Sequence, residues 1–290
     1  MSVVRARLVA AEILKIRTTR AWGLFLGGFT VAAILAAAFN WGSNNNLLHP
    51  TLSDYPVGTS RNAVLAQAAL ARTAAGAVSR ATSMMTSGQF LLALITLIIG
   101  VHIATSEYST GTVTSTFLIE SRRVPVVAAK VIVSGLFGVV FWAIATVLDG
   151  VTTPLFLAAE HLPTSAFGSS LVVRATAMEL LAFVLWALLG LGIGAVLRSQ
   201  VVAVVAAIAV YAGGFIVVEL IIHLLYDAFG ASWLLSLAVL APVQASSVMI
   251  TAGRAFPDAP PWWVGGLVLA GYGVALAALG AASVSRSDVA

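Results

Sequence analysis

Residues 175–197, ATAMELLAFVLWALLGLGIGAVL, and residues 201–224, VVAVVAAIAVYAGGFIVVELIIHL, are separated only by Arg198-Ser199-Gln200. Each run exceeds the roughly 20 residues that one bilayer crossing requires. Each carries a single acid, Glu179 or Glu219, and no lysine or arginine. The three polar residues between them suffice for a tight reversal, so the pair reads as two antiparallel membrane spans.

Similar runs lie on both sides. On the N-terminal side are residues 21–39, 90–105 and 131–154, and on the C-terminal side residues 262–284, which Pro260 and Pro261 open in the position suited to a helix start. The six spans together form an all-α membrane protein. Trp22 and Trp41 bracket the first run; at 1.5 Å per residue they lie about 28 Å apart, the separation of two interfacial belts. Basic residues precede this run and Ala36, Ala37 and Ala38 end it, as in a cleavable signal peptide. Its apolar core is longer than a signal peptide needs and further spans follow, which favours a signal-anchor helix.

The composition agrees. Of 290 residues, 60% are hydrophobic and 9% charged, with a mean hydropathy of +1.02. A soluble domain carries about a quarter charged residues, so a water-facing globule is excluded. Cysteine is absent, which removes disulfides, thiolate nucleophiles and cysteine metal sites. The net charge of +4 is scattered, unlike the concentrated basic face of a nucleic-acid-binding protein; no nucleic-acid partner is expected.

Charge also sets orientation. Ten of the 15 basic residues fall on one side of the six spans: Arg5, Arg7, Lys15, Arg17, Arg20, Arg122, Arg123, Lys130, Arg198 and Arg286. The positive-inside rule then puts both termini in the cytoplasm, N-in and C-in. On that topology residues 1–20 are a cytoplasmic interfacial helix and 21–290 one membrane domain. Its outer loop is 40–88, its cytoplasmic loop 106–130, and its outer re-entrant segment 225–261. Within the outer loop, 61–85 bears Arg61, Arg72 and Arg80; three arginines make a crossing costly, so it reads as an amphipathic helix along the interface. Residues 231–240 are apolar but too short to cross, and Pro242 stops them, which suits a re-entrant or interfacial helix.

Catalytic motifs are missing: there is no phosphate-binding loop, no HExxH and no GxSxG. No catalytic residue, metal ligand or resident cofactor is expected. Gly190 and Gly194 lie within an apolar helix and form a small-xxx-small packing face. Asp149, Glu179 and Glu219 fall towards the outer ends of their spans. They read either as interfacial carboxylates met by water or by a neighbour such as Arg174, or as an outer-leaflet vestibule on an export path. His102 and His223, near span ends, read as interfacial residues.

The loop after the second span has the densest pattern. Glu107 ends a helix in water, Gly111 permits a sharp turn, and residues 112–120, TVTSTFLIE, can form a short helix presenting Phe117, Leu118 and Ile119. Arg122 and Arg123 then meet headgroups or an acidic partner. An ordinary positive loop would also account for this composition. At the other end of the cytoplasmic face Val9, Ile13 and Ile16 make an apolar stripe, with Glu12 and Lys15 off it.

The segment from Glu107 through Gly111-Thr112 and Arg122-Arg123 to Lys130 resembles the first cytoplasmic loop of ABC-2 type transporter permeases. The stretch AAEILKIRTTRAW, residues 10–22, is similar to that family's actinobacterial members, as are the Gly-rich fourth span ending in LRSQ and the short apolar insert before the last span. One departure is that proline follows the basic pair, as Pro125, where the family commonly has it before. The resemblance implies the transmembrane subunit of a bacterial plasma-membrane exporter, working as a dimer with a second copy or a paralogue. A separate ATPase subunit would carry ATP and magnesium. The resemblance also assigns Glu12, Lys15, Glu107, Gly111, Thr112, Phe117, Arg122, Arg123 and Lys130 to coupling with that ATPase, through the N-terminal helix and a coupling helix in the loop. The competing classes are an ion-gradient-driven transporter, which would want ionisable residues at the midplane, and a membrane scaffold subunit.

Overall fold

A computed structural model describes residues 3–51, 60–109, 123–251, 255 and 258–286. Every regular element among them is helical. In chain order these are α1 (Val3–Thr18), α2 (Ala21–Leu48), α3 (Arg61–Ala71), α4 (Ala74–Met85), α5 (Gln89–Ser109), α6 (Arg123–Ala159) and α7 (Ser170–Leu197). After them come α8 (Gln200–Phe229), α9 (Trp233–Leu240), α10 (Pro242–Ile250) and α11 (Trp262–Arg286).

Local chemistry sets many of the boundaries. Ser60 caps α3 by accepting from the Ala63 N–H, and Thr73 caps α4 by accepting from the Gly76 N–H. Each cap satisfies a donor that a helix start leaves free. Between α7 and α8 the chain reverses at Arg198, whose φ is 54°. The C-terminus of α8 is closed by Gly230 in the left-handed region, its N–H reaching the Tyr226 carbonyl. Pro242 occupies the first turn of α10, where no N–H is needed.

Five helical segments are long and apolar enough to cross a membrane: Ala21–Leu48, Ala74–Tyr108, Pro125–Ala159, Ser170–Leu197 and Gln200–Phe229. The sequence expectation was six. The apolar part of α11 spans Trp262–Leu276 and is shorter than these, while α9 and α10 form a pair bent by 104°, a broken span or re-entrant loop. The first of the five carries most of its apolar surface outwards, including Leu24, Leu35 and Phe39, and so does the last, with Val201, Val205 and Ile216. In water such faces would cost about 25 cal/mol per Å²; in lipid they cost nothing, and helices are then held by close packing and hydrogen bonds.

The chain divides into two compact units. Unit 1 comprises residues 1–27, 93–141 and 180–290; unit 2 comprises 28–92 and 142–179. In unit 1, α5 and α7 cross without intervening side chains. A Cβ on Gly100 would strike the Ala187 carbonyl, and one on Gly190 would strike the Leu97 carbonyl. A Cβ on Gly194 would come within 2.6 Å of the Ala104 methyl. Trp186, fully buried, lies 4.8 Å from the Tyr211 ring and donates to Ser246 on α10 at 3.3 Å. In unit 2, Leu48, Ala77, Met84, Phe156 and Leu162 make a dry core, which Trp41 joins edge-on to Phe156 at 5.2 Å.

Several boundaries differ from the sequence reading. α2 continues from Phe39 to Leu48, so Trp41 packs inside unit 2 instead of ending a span. The presumed single helix at 61–85 is two, broken at Arg72-Thr73 by the Thr73 cap. Pro154 lies inside α6, which runs on to Ala159. α10 had not been anticipated; Ala245, Ser246, Val248, Met249 and Ile250 are buried within it.

Candidate functional site

Four charged residues from three helices meet in unit 1. Lys15 on α1 places its Nζ 2.6 Å from Glu12 and 2.5 Å from Glu107 on α5. Lys130 on α6 places its Nζ 3.2 Å from each of the same two carboxylates. Each lysine therefore meets both glutamates, and the set closes into a neutral ring. Lys130 also donates to the Ile103 carbonyl at 3.3 Å.

Burial makes the ring a structural commitment. The side chains of Glu12 and Glu107 are 8% and 7% exposed, Lys130 is 13%, and Lys15 is 42%. Taking such charges from water is costly, and only mutual pairing with good geometry offsets it. Charge-assisted bonds of this kind are short and directional. Burial works against the Lys15 ammonium, but the hydrogen bonds and charges of Glu107 and Glu12 outweigh it, and the group stays protonated above the ordinary lysine range.

Local sequence explains how the ring forms. Glu12 and Ile16 are both buried, one turn apart on α1, so the inward face of this helix carries a carboxylate beside its apolar residue. The sequence reading had placed Glu12 off the apolar face and Glu107 in water. The structure corrects both, because the two lysines supply the counter-charge that makes burial tolerable. Leu14 lies exposed.

The ring joins α1 to the end of α5 and the start of α6, the two helices that flank residues 110–122. Gly111, Thr112, Phe117 and Arg122 lie outside the described residues, as does the side chain of Arg123 at the head of α6. Of the nine residues assigned to coupling, the structure thus gathers Glu12, Lys15, Glu107 and Lys130 at one point.

The three acids of the expected vestibule are described unit by unit. Asp149 and Glu179 are in unit 2, with 2% and 0% exposure. Glu219 is in unit 1, where it accepts from Gln244 on α10 and stands 3.5 Å from His223. Asp149 accepts from the Ser87 hydroxyl at 2.5 Å and from the Ser87 N–H at 3.3 Å. Neither oxygen of Glu179 finds a hydrogen-bond partner among the described residues. The side chains of Asp149 and Glu179 both lie in the interior of unit 2. Ser87 carries no motif and could not have been singled out from sequence; its role comes from the turn between α4 and α5.

His102 lies 5.5 Å from the Phe25 ring and within 3.4 Å of Gln200. In unit 2, His49 meets Glu160 at 2.7 Å and Arg72 approaches the same carboxylate at 3.7 Å. Among the described residues no three His, Asp or Glu side chains are grouped to hold a metal ion. In comparisons with known proteins, no family model matches the chain and no curated protein matches it.

Proposed function

We propose that this chain is the membrane permease subunit of an ABC-2 type exporter in a bacterial plasma membrane, driven by a separate ATPase subunit. The observation that carries the reading is the ring of Glu12, Lys15, Glu107 and Lys130. A protein that receives a push from a docked ATPase needs its contact elements fixed to its transmembrane levers. The ring fixes α1 to the helix ends on both sides of the loop 110–122, so a force on loop or α1 is delivered to α5 and α6 together. Rigid transmission of this type lets a small displacement switch a packed bundle between two arrangements.

On this reading both termini are cytoplasmic, the apolar segment of α11 completes the sixth crossing, and residues 110–122 carry the coupling helix with Gly111, Phe117, Arg122 and Arg123. A second copy or paralogue completes the pathway. The chain makes no bond itself; ATP and magnesium belong to the partner.

The experiment is co-purification of the chain with an ABC ATPase subunit, followed by reconstitution of the two in lipid. The intact pair should show stimulated ATP turnover and ATP-dependent export. E107Q and K130M should insert normally yet separate the two activities, leaving turnover with little export. Export without any ATPase, or full coupling in both variants, would overturn the reading. A second reading, transport driven by an ion gradient, draws on the interior position of Asp149 and Glu179; it predicts export that persists without ATP and collapses with an ionophore.

A further inference from the structure

Unit 2 carries a positive charge that its described residues leave unanswered. Arg80 on α4 is half-buried, and its Nε is enclosed by protein without a hydrogen-bond partner. Its polar contact among the described residues is made by Nη2, which donates to Ser79 Oγ at 3.3 Å. The described acids of unit 2 are Asp149, Glu160 and Glu179. Asp149 accepts from Ser87, while Glu160 meets His49 at 2.7 Å and Arg72 at 3.7 Å. No described acid forms an ion pair with Arg80. Arg72 gives the contrast: besides that carboxylate it meets the carbonyls of Leu48 at 3.4 Å and Glu160 at 3.2 Å, closing the ends of α2 and α6.

The described groups around Arg80 supply no anion. Ser83 stands at i+3 from it on α4, on the same face, and is committed to α2. Asn40 Nδ2 donates to the Ser83 carbonyl at 2.5 Å, and Ser83 Oγ donates to Asn40 Oδ1 at 3.3 Å. These bonds are neutral and satisfy one another. Ala77, Ala81 and Met84 pack in the dry core. A guanidinium held partly out of water without a counter-charge is costly. Helix length says at what depth it stands. Ala74–Tyr108 is a run of 35 residues, about 52 Å at 1.5 Å per residue. A bilayer measures about 40–45 Å with its headgroups, about 30 Å of it hydrocarbon. Arg80 lies within the first two turns of the run, at headgroup depth when the remainder crosses.

We propose that Arg80, together with the hydroxyl of Ser79, binds the phosphate of an anionic phospholipid at the headgroup level of the membrane. A guanidinium offers paired, coplanar donors that match two phosphate oxygens. Ser79 Oγ accepts from Arg80 and keeps its own proton to donate to the same phosphate. Net charge selects the lipid. A zwitterionic headgroup brings its own cation and leaves Arg80 unbalanced, whereas an anionic one cancels it. The membrane leaflet follows from the topology proposed above, which makes this the outer one; the site itself does not rest on that topology.

The test uses the full chain without any ATPase, so its failure and that of the proposed function are separable. Arginines are modified with phenylglyoxal and the products mapped by mass spectrometry. The chain is held in vesicles of phosphatidylcholine alone, of phosphatidylcholine with phosphatidylglycerol, and of phosphatidylcholine with inorganic phosphate added. Arg61, exposed on α3, is the internal reference. Relative to Arg61, modification of Arg80 should be about fivefold slower with phosphatidylglycerol, the factor expected when the lipid is at about four times its Kd. Inorganic phosphate should leave the rate unchanged. Equal rates in the two lipid mixtures overturn the proposal. Equal protection by inorganic phosphate overturns it too, and assigns the site to a soluble anion. Because the readout is on the wild type, no folding defect can imitate either result. S79A should weaken the protection; full protection in S79A would refute the part given to the hydroxyl.

Discussion

Lys130 and Lys15 make the same two contacts but are enclosed to different degrees, 13% against 42% exposure. Removing one member of a buried pair leaves the other charge stranded and costs about 3–5 kcal/mol, whereas a half-exposed pair contributes about 1 kcal/mol or less. K130M should therefore lower the stability measured by denaturant titration in detergent several times more than K15M. Because the folded Lys15 ammonium is held above the ordinary lysine range, its contribution is complete below the range in which an unfolded lysine titrates. It disappears as pH rises through the folded value. Melting temperature should fall with alkaline pH more steeply in the wild type than in K15M. At this scale the sequence disclosed which residues matter, through their types and order near the loop. It did not disclose that they pair, since Lys15 and Glu107 are 92 positions apart and nothing in either neighbourhood points to the other. The same gap hid Ser87 as the partner of Asp149.

Helices were more legible than their ends. The apolar runs of α5, α7 and α8 are read directly from composition, and the turn at Arg198 from three polar residues. The extension of α2 through Asn40, Gly42 and Asn44 was not, because these residues are weak helix formers; their tertiary bonds to Ser83 supply what local preference lacks. α10 escaped for the opposite reason, Pro242 being read as a stop when it is also a permitted start. The crossing of α5 over α7 yields a sharp contrast. G190A drives a methyl into the Leu97 carbonyl, and overpacking of this kind costs about 1–3 kcal/mol. G271A on α11, with nothing within 4 Å, should be neutral or stabilising by up to about 1 kcal/mol. Parallel unfolding curves for the two variants check the difference.

For the molecule as a whole, five apolar helices with outward hydrophobic faces were legible because a membrane imposes length and composition together. The two-unit division was not, since α2, α5, α6 and α7 are each divided between the units without a break in their sequence pattern. The proposed topology makes a direct prediction in a chain without cysteine: a thiol introduced by S60C should react with an impermeant reagent from outside intact cells, and one introduced by S199C only after permeabilisation. Equal reactivity would exclude the arrangement. The ring carries one more consequence for the chain as a chemical object. Lys15 and Lys130 are the two lysines among all 290 residues, so every ε-amine the protein owns is engaged in the same knot. An acylating reagent monitored by mass spectrometry then becomes a built-in gauge: modification at Lys130 would mark the moment the knot loosens, in vesicles or in living cells, with no label added to the chain.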